Sequence, residues 1–307
     1  MKLIHLIRRN CKLYFKDKAL FFSSLIAPLI LFFLFVAFLG DVYRDSLTGI
    51  LPEGAEVPKR LVEGFAGGWL ISSLLAVSAV SIAFTANMVM VQDKVTDRFS
   101  DFAVSPVPQS TLALGYYIST ALVTAVICLL ALAVGLVYLA IVGWYLSFAD
   151  VLFTILDTLL LVLFGTALSS VVCYFLKSQG GITAVEVIVS AAYGFLCGAY
   201  MPISSLAKGI ADTLSFLPGT YGTALLHEHL MGGATDEIGT LFSGEFADGI
   251  REGFDCKLFF FGNAVPEWTC FLVLVCAIAV LVGAYVLICA APWKKRKKKP
   301  VTVAQPN

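Results

Sequence analysis

The sequence predicts an all-α polytopic membrane protein with six transmembrane helices, and three observations carry that prediction. The 307 residues are 59% hydrophobic and 14% charged, against roughly 25% charged in an ordinary soluble domain; mean hydropathy is +0.89. The apolar residues fall into runs of about twenty or more, the length needed to cross the hydrocarbon core of a bilayer. The charges are also sorted by side. With both termini on one side, that side holds fifteen Lys and Arg residues and four acids. The opposite side holds six basic residues and fifteen acids, with Asp157 and Glu186 left inside spans. The positive-inside rule therefore puts both termini in the cytoplasm, and the expected location is a cell membrane, of the bacterial plasma-membrane kind.

Residues 1–18 open the chain as an amphipathic interfacial helix. His5, Arg8, Arg9, Lys12 and Lys16 fill one arc, and Leu3, Ile4, Ile7, Cys11, Tyr14 and Phe15 fill the other, a pattern suited to the headgroup plane. Its charged region is long and no small-residue cleavage site clearly follows, so it reads as part of the protein rather than a signal peptide. A six-span domain over 19–291 comes next, with spans at about 19–39, 67–91, 111–142, 151–176, 182–201 and 268–291. Pro28 is a predicted kink in the first span. The third is over-long, so it tilts or emerges at one end, and Trp144 and Tyr145 mark an interface.

Between spans two and three lies QDKVTDRFSDFAVSPVPQ, residues 92–109, a short cytoplasmic connector. Val95, Phe99 and Phe102 recur near helical spacing opposite Asp93, Lys94, Asp97, Arg98 and Asp101, until Pro106 and Pro108 stop the helix. After span five, residues 202–266 form an extracytoplasmic segment. Within it, residues 204–217 are too short to span and too apolar for a free loop, which predicts a re-entrant or interfacial hairpin. The tail, 292–307, carries KKRKKK directly after a span. It reads as a stop-transfer anchor on anionic lipid headgroups, worth about 1 kcal/mol per charge, and not as a nuclear signal; no nucleic-acid partner is expected.

No nucleotide-binding G-x-x-x-x-G-K-[ST] loop, H-E-x-x-H or G-x-S-x-G occurs, so no catalytic, cofactor-binding or metal residue is assigned. His227-Glu228-His229 offers three consecutive polar positions that point in different directions on a helix, a poor metal set, and reads as solvated loop. Two spans carry polar stripes: Ser78, Ser81 and Thr85 on span two, and Thr183, Glu186, Ser190, Tyr193 and Cys197 on span five. Such faces turn from lipid toward protein or a water-accessible path. Asp157 lies about 10 Å inside span four at 1.5 Å per residue and needs a partner or water. Gly194 and Gly198 form a small-xxx-small pair on span five. Of the eight cysteines, five lie in apolar runs, and Cys256 and Cys270 are the two that could pair outside the membrane.

Taken together the chain resembles the permease subunits of type-2 ABC exporters over nearly its whole length. The resemblance rests on the helix at 2–18, the six-span plan and the connector's Asp97-Arg98, Asp101-Phe102 and Ser105-Pro106-Val107. It rests also on Leu114-Gly115-Tyr116-Tyr117-Ile118 opening span three, and on Met201-Pro202-Ile203-Ser204 with Pro218 and Tyr221 after span five. It implies that the connector is a coupling helix. Asp93, Lys94, Asp97, Arg98, Phe99, Asp101, Phe102 and Ser105 would contact a separate ATPase subunit that holds ATP and Mg. It implies a second permease copy, identical or different, with the stripes on spans two and five at the translocation path or the dimer seam. The implied activity is export of an amphipathic, drug-, peptide- or lipid-like cargo. The rival reading is a gradient-driven carrier or channel using Asp157 or Glu186. The outer segment 202–266 is longer than the family plan needs, which marks residues 230–265 as specific to this chain.

Overall fold

The computed structural model describes residues 2–34, 38–52, 57–96 and 108–290. Helix α1 (Lys2–Lys16) meets α2 (Lys18–Leu34) at a bend of 76°. Then come α3 (Gly40–Thr48), α4 (Lys59–Ala86), α5 (Met88–Val95), α6 (Gln109–Val142), α7 (Phe148–Phe175) and α8 (Gln179–Leu196). A 3-10 turn at Ile203–Ser205 precedes α9 (Lys208–Leu214), α10 (Pro218–Leu241) and α11 (Gly244–Gly253). A two-stranded hairpin of β1 (Phe259–Phe260) and β2 (Asn263–Ala264) leads into α12 (Glu267–Ala290). Among the described residues five helices are long and apolar enough to cross a membrane, and the bent pair α1 and α2 makes a sixth candidate.

The bundle is built around α4 and α5, which together run from Lys59 to Val95. From Leu61 to Ala86 every residue except Glu63 is buried. A helix covered on all sides needs small residues where neighbours approach, and α4 supplies Gly67, Gly68, Ser72, Ala76, Ala79 and Ala83. A Cβ at Gly68 would lie 2.5 Å from the Leu230 carbonyl oxygen of α10. One at Gly165 of α7 would lie 2.6 Å from the Ala79 carbonyl oxygen. Helices α2, α6, α7, α8 and α10 all pack on α4. The outer flanks of α2, α6, α8 and α12 expose Phe22, Leu130, Ile188 and Val280, apolar side chains suited to lipid.

The structure revises several sequence expectations. Span two starts eight residues before Gly67, because Lys59–Ala66 continues the helix instead of closing a polar loop. Likewise Gly40–Thr48 is helical, with Tyr43 and Leu47 buried. Span five ends at Leu196 rather than Met201. There Gly198 adopts a left-handed backbone, φ +81°, and the Tyr200 N–H bonds the Gly194 carbonyl at 2.8 Å. Gly198 therefore serves the turn, and Gly194 lies under the chain's own Tyr200 ring; the two do not form a helix-contact face.

The largest revision concerns residues 218–241. They form a helix of 24 residues that enters the bundle, and His227 and His229 are buried within it rather than solvated in a loop. Pro218 supplies the first helical turn, where its missing N–H costs nothing. A Cβ at Gly222 would meet Leu161 of α7 and Leu274 of α12, while one at Gly233 would meet the Tyr145 carbonyl beyond the end of α6. Helix α10 thus runs from within the bundle out to its far end, the end away from α1. The apolar stretch before it, 203–217, resolves into the 3-10 turn and α9. Asp255 pins that turn by accepting the N–H groups of Ile203 and Ser204, the latter at 3.0 Å. Burial pushes its carboxyl up to about 6 against the pull of those donors.

The close approaches give a direct test. Gly68→Val or Gly165→Val should cost about 1–3 kcal/mol through overpacking, read as a lower unfolding midpoint in detergent. Gly283→Val on α12, where an added Cβ meets nothing within 4 Å, should leave the midpoint unchanged.

Candidate coupling junction and polar interior

At the α1 end of the bundle, α5 carries Asp93 inward instead of presenting it with the connector. The carboxylate is 1% exposed and is held from two helices. Arg9 of α1 donates to both oxygens, at 2.7 and 2.9 Å, and the Tyr116 hydroxyl of α6 donates at 2.7 Å. A bidentate guanidinium–carboxylate pair fixes orientation as well as distance. The pair extends sideways: Arg9 also donates to Asn10 Oδ1 at 3.0 Å, and Asn10 Nδ2 donates to Ser119 Oγ at 3.2 Å. Lys94 turns to the other side. Its Nζ donates to the Cys173 and Tyr174 carbonyls at 3.3 and 2.9 Å and sits 4.8 Å from the Tyr174 ring centroid. It thereby caps the last carbonyls of α7, where a cation is favoured. Asp93 and Lys94 thus tie α1, α6 and α7 to the helix from which the connector departs. Asp97, Arg98, Phe99, Asp101, Phe102 and Ser105 lie outside the described residues.

Directly before α5, Asn87 forms a second polar knot. It is fully buried, donates to Ser169 Oγ at 2.6 Å and to Ser170 Oγ at 3.4 Å, and accepts from Thr120 Oγ1 at 3.3 Å. Amide and hydroxyl partners on three helices satisfy each other where water is absent.

The two polar stripes meet. Ser78, Ser81 and Thr85 are buried on α4, and Thr85 Oγ1 donates to Glu186 Oε1 of α8 at 2.5 Å. Further along α8, Ser190 Oγ is buried without a partner among the described residues, and Tyr193 donates to the Gly219 carbonyl at 3.2 Å. Cys197 packs under Gly219 as well. Thr183 stands apart, exposed and bonded back to the Gln179 carbonyl at 3.2 Å. The stripe from Glu186 to Cys197 is thus covered by α4 and α10 of its own chain.

A model of the ABC-2 type transporter family matches residues 1–230 of the 307. The chain belongs to the ABC-2 type transporter family. None of the curated proteins matches it. As an ABC-2 permease it is a membrane transport component, of a family that associates with ATPase subunits in general. The match stops within α10, so α11, the hairpin and α12 lie beyond it.

Deeper in this permease, at the far end, Asp157 of α7 finds its partner in α10. His229 Nδ1 lies 2.6 Å from Asp157 Oδ2, and Nε2 lies 3.1 Å from Glu267 Oε1 at the start of α12. The imidazole stacks on Phe153 with centroids 5.0 Å apart. His227, one residue away from Glu228 on the opposite side, stacks on Trp69 of α4 at 4.3 Å. The alternating directions of His227 and His229 join α10 to α4 and to α7 with α12. The His229 contacts escaped sequence reasoning because α10 is interrupted by Gly, Thr and Glu and shows no apolar run. Arg9 and Tyr116 were visible as a basic arc and a tyrosine pair, but nothing in their spacing points to Asp93.

The junction makes a quantitative prediction. In a double-mutant cycle on the purified permease, Arg9→Ala and Asp93→Ala should be coupled by about 1–3 kcal/mol. Additive effects on unfolding free energy would mean that the pair holds nothing together.

Proposed function

We propose that this ABC-2 permease is the membrane subunit of an ATP-driven exporter whose energy comes from a separate ATPase binding ATP and Mg. The observation that carries this reading is the junction at Asp93. A connector that departs from a helix bonded to α1, α6 and α7 can deliver a push to several membrane helices at once. Residues 97–105 present Asp97, Arg98, Phe99, Asp101, Phe102 and Ser105 to the ATPase. Asp93 and Lys94 transmit the load inward.

In this reading both termini are cytoplasmic, as the basic residue distribution favours, and the membrane is the plasma membrane of a bacterial cell. Two permease copies, identical or different, face each other, and lipids cover the remaining apolar flanks. The stripe pair Ser78, Ser81, Thr85 with Glu186, Ser190, Tyr193 and Cys197 is closed in the present arrangement. ATP-driven movement of α4 against α8 and α10 exposes it. Its hydroxyls and single carboxyl among apolar residues suit an amphipathic cargo such as a drug, a peptide or a lipid-linked molecule better than a small ion. The export direction follows the family likeness.

The test is purification of the intact chain from its native membrane. A stoichiometric ATPase should accompany it and be lost in the Asp97→Ala, Arg98→Ala, Asp101→Ala triple variant. Recovery of the chain alone, transporting in vesicles with a gradient and no ATP, would overturn the proposal.

A further inference from the structure

The hairpin before α12 carries an aromatic cluster that the transport scheme does not use. Strand β1 pairs antiparallel with β2, and Phe261 and Gly262 close the turn with φ of +49° and +84°. That left-handed pair is what a tight two-residue hairpin requires. Phe216, just after α9, lies 5.2 Å from Phe260 and 6.0 Å from Phe261 between ring centroids. Phe216 is 64% exposed and Phe261 56%. These rings lie beyond the stretch matched by the family model, apart from Phe216.

Contacts fix the depth of the cluster. Ser215 Oγ donates to the Phe259 carbonyl at 3.3 Å, and the Tyr221 hydroxyl of α10 donates to the Ser215 carbonyl at 2.8 Å. The hairpin rests on a small core of Tyr221, Leu258 and Cys270, with Phe271 and Val273 packed against it. Cys270, Phe271 and Val273 belong to the first two turns of α12, a membrane-spanning helix whose other flank exposes Trp268, Leu272 and Val275. The exposed rings therefore lie beside the first two turns of that span.

We propose that Phe216, Phe260 and Phe261 form a membrane-insertion element. It seats in the boundary between headgroups and acyl chains of the leaflet at the far end of the bundle. Aromatic rings gain by leaving water there. A two-stranded hairpin turns backbone N–H and C=O groups outward along its two edges, and lipid hydrocarbon offers these no partner, so the element stops at the interface. Anchored this way, it holds the start of α10 against the leaflet through Tyr221 and Ser215.

The experiment places trifluoromethyl-phenylalanine at position 261, and separately at 216, in the full chain reconstituted in phosphatidylcholine nanodiscs. Fluorine line broadening is then read with lipid spin-labelled near the headgroup and, separately, with a water-soluble paramagnetic chelate. The expected result is strong broadening by the spin-labelled lipid and little by the chelate at both positions. Broadening chiefly by the chelate would show rings in water and overturn the proposal. Protection from both agents would show rings covered by protein, such as a second copy, and would overturn it as well.

Discussion

A helix that crosses a bilayer while covered by protein on all sides needs small residues wherever a neighbour's backbone approaches it, and α4 is such a helix. Small residues let α7 and α10 approach to backbone contact, and Thr85 with Glu186, and Asn87 with Ser169 and Thr120, bond across helix interfaces. The other helices take their positions from this one. Because α4 continues into α5, what happens at its foot bears on the whole bundle.

That foot is where charge enters the protein interior. A carboxylate as buried as Asp93 is tolerable only when paired and hydrogen-bonded, and here the partners come from α1 and α6. The arrangement joins the amphipathic first helix, the central helix and the following span at one ionic centre. The far end is joined in a similar way, with Asp157, His229 and Glu267 linking α7, α10 and α12. Between these two ends lies the stripe contact of α4 with α8, whose Ser190 hydroxyl is buried without a partner among the described residues.

The fold class was legible because runs such as Gln109–Val142 and Glu267–Ala290 are too apolar for anything but a span. The amphipathic arcs of Lys2–Lys16 were equally plain; of the two stripes, Ser78, Ser81 and Thr85 are buried, while Thr183 is exposed. Sequence reasoning failed where burial comes from neighbours rather than from the segment itself. Helix α10 contains His227, Glu228, His229 and Thr235 and reads as polar, yet α4, α7 and α12 enclose it. Lys59–Ala66 reads as loop because Lys59, Arg60 and Glu63 dilute its apolar residues, although Leu61, Val62 and Phe65 are buried. Asp93 looked like the first charge of a connector because sequence shows charge and not direction.

The central claim is that load applied at the connector passes through Asp93 into the membrane helices. The most direct measurement is the ratio of cargo transported to ATP hydrolysed by the reconstituted permease–ATPase complex, compared between the native chain and Asp93→Asn. The account predicts that the variant still assembles with its ATPase and hydrolyses ATP, but with a clearly lower ratio of transport to hydrolysis. An unchanged ratio in a properly assembled Asp93→Asn complex would contradict it.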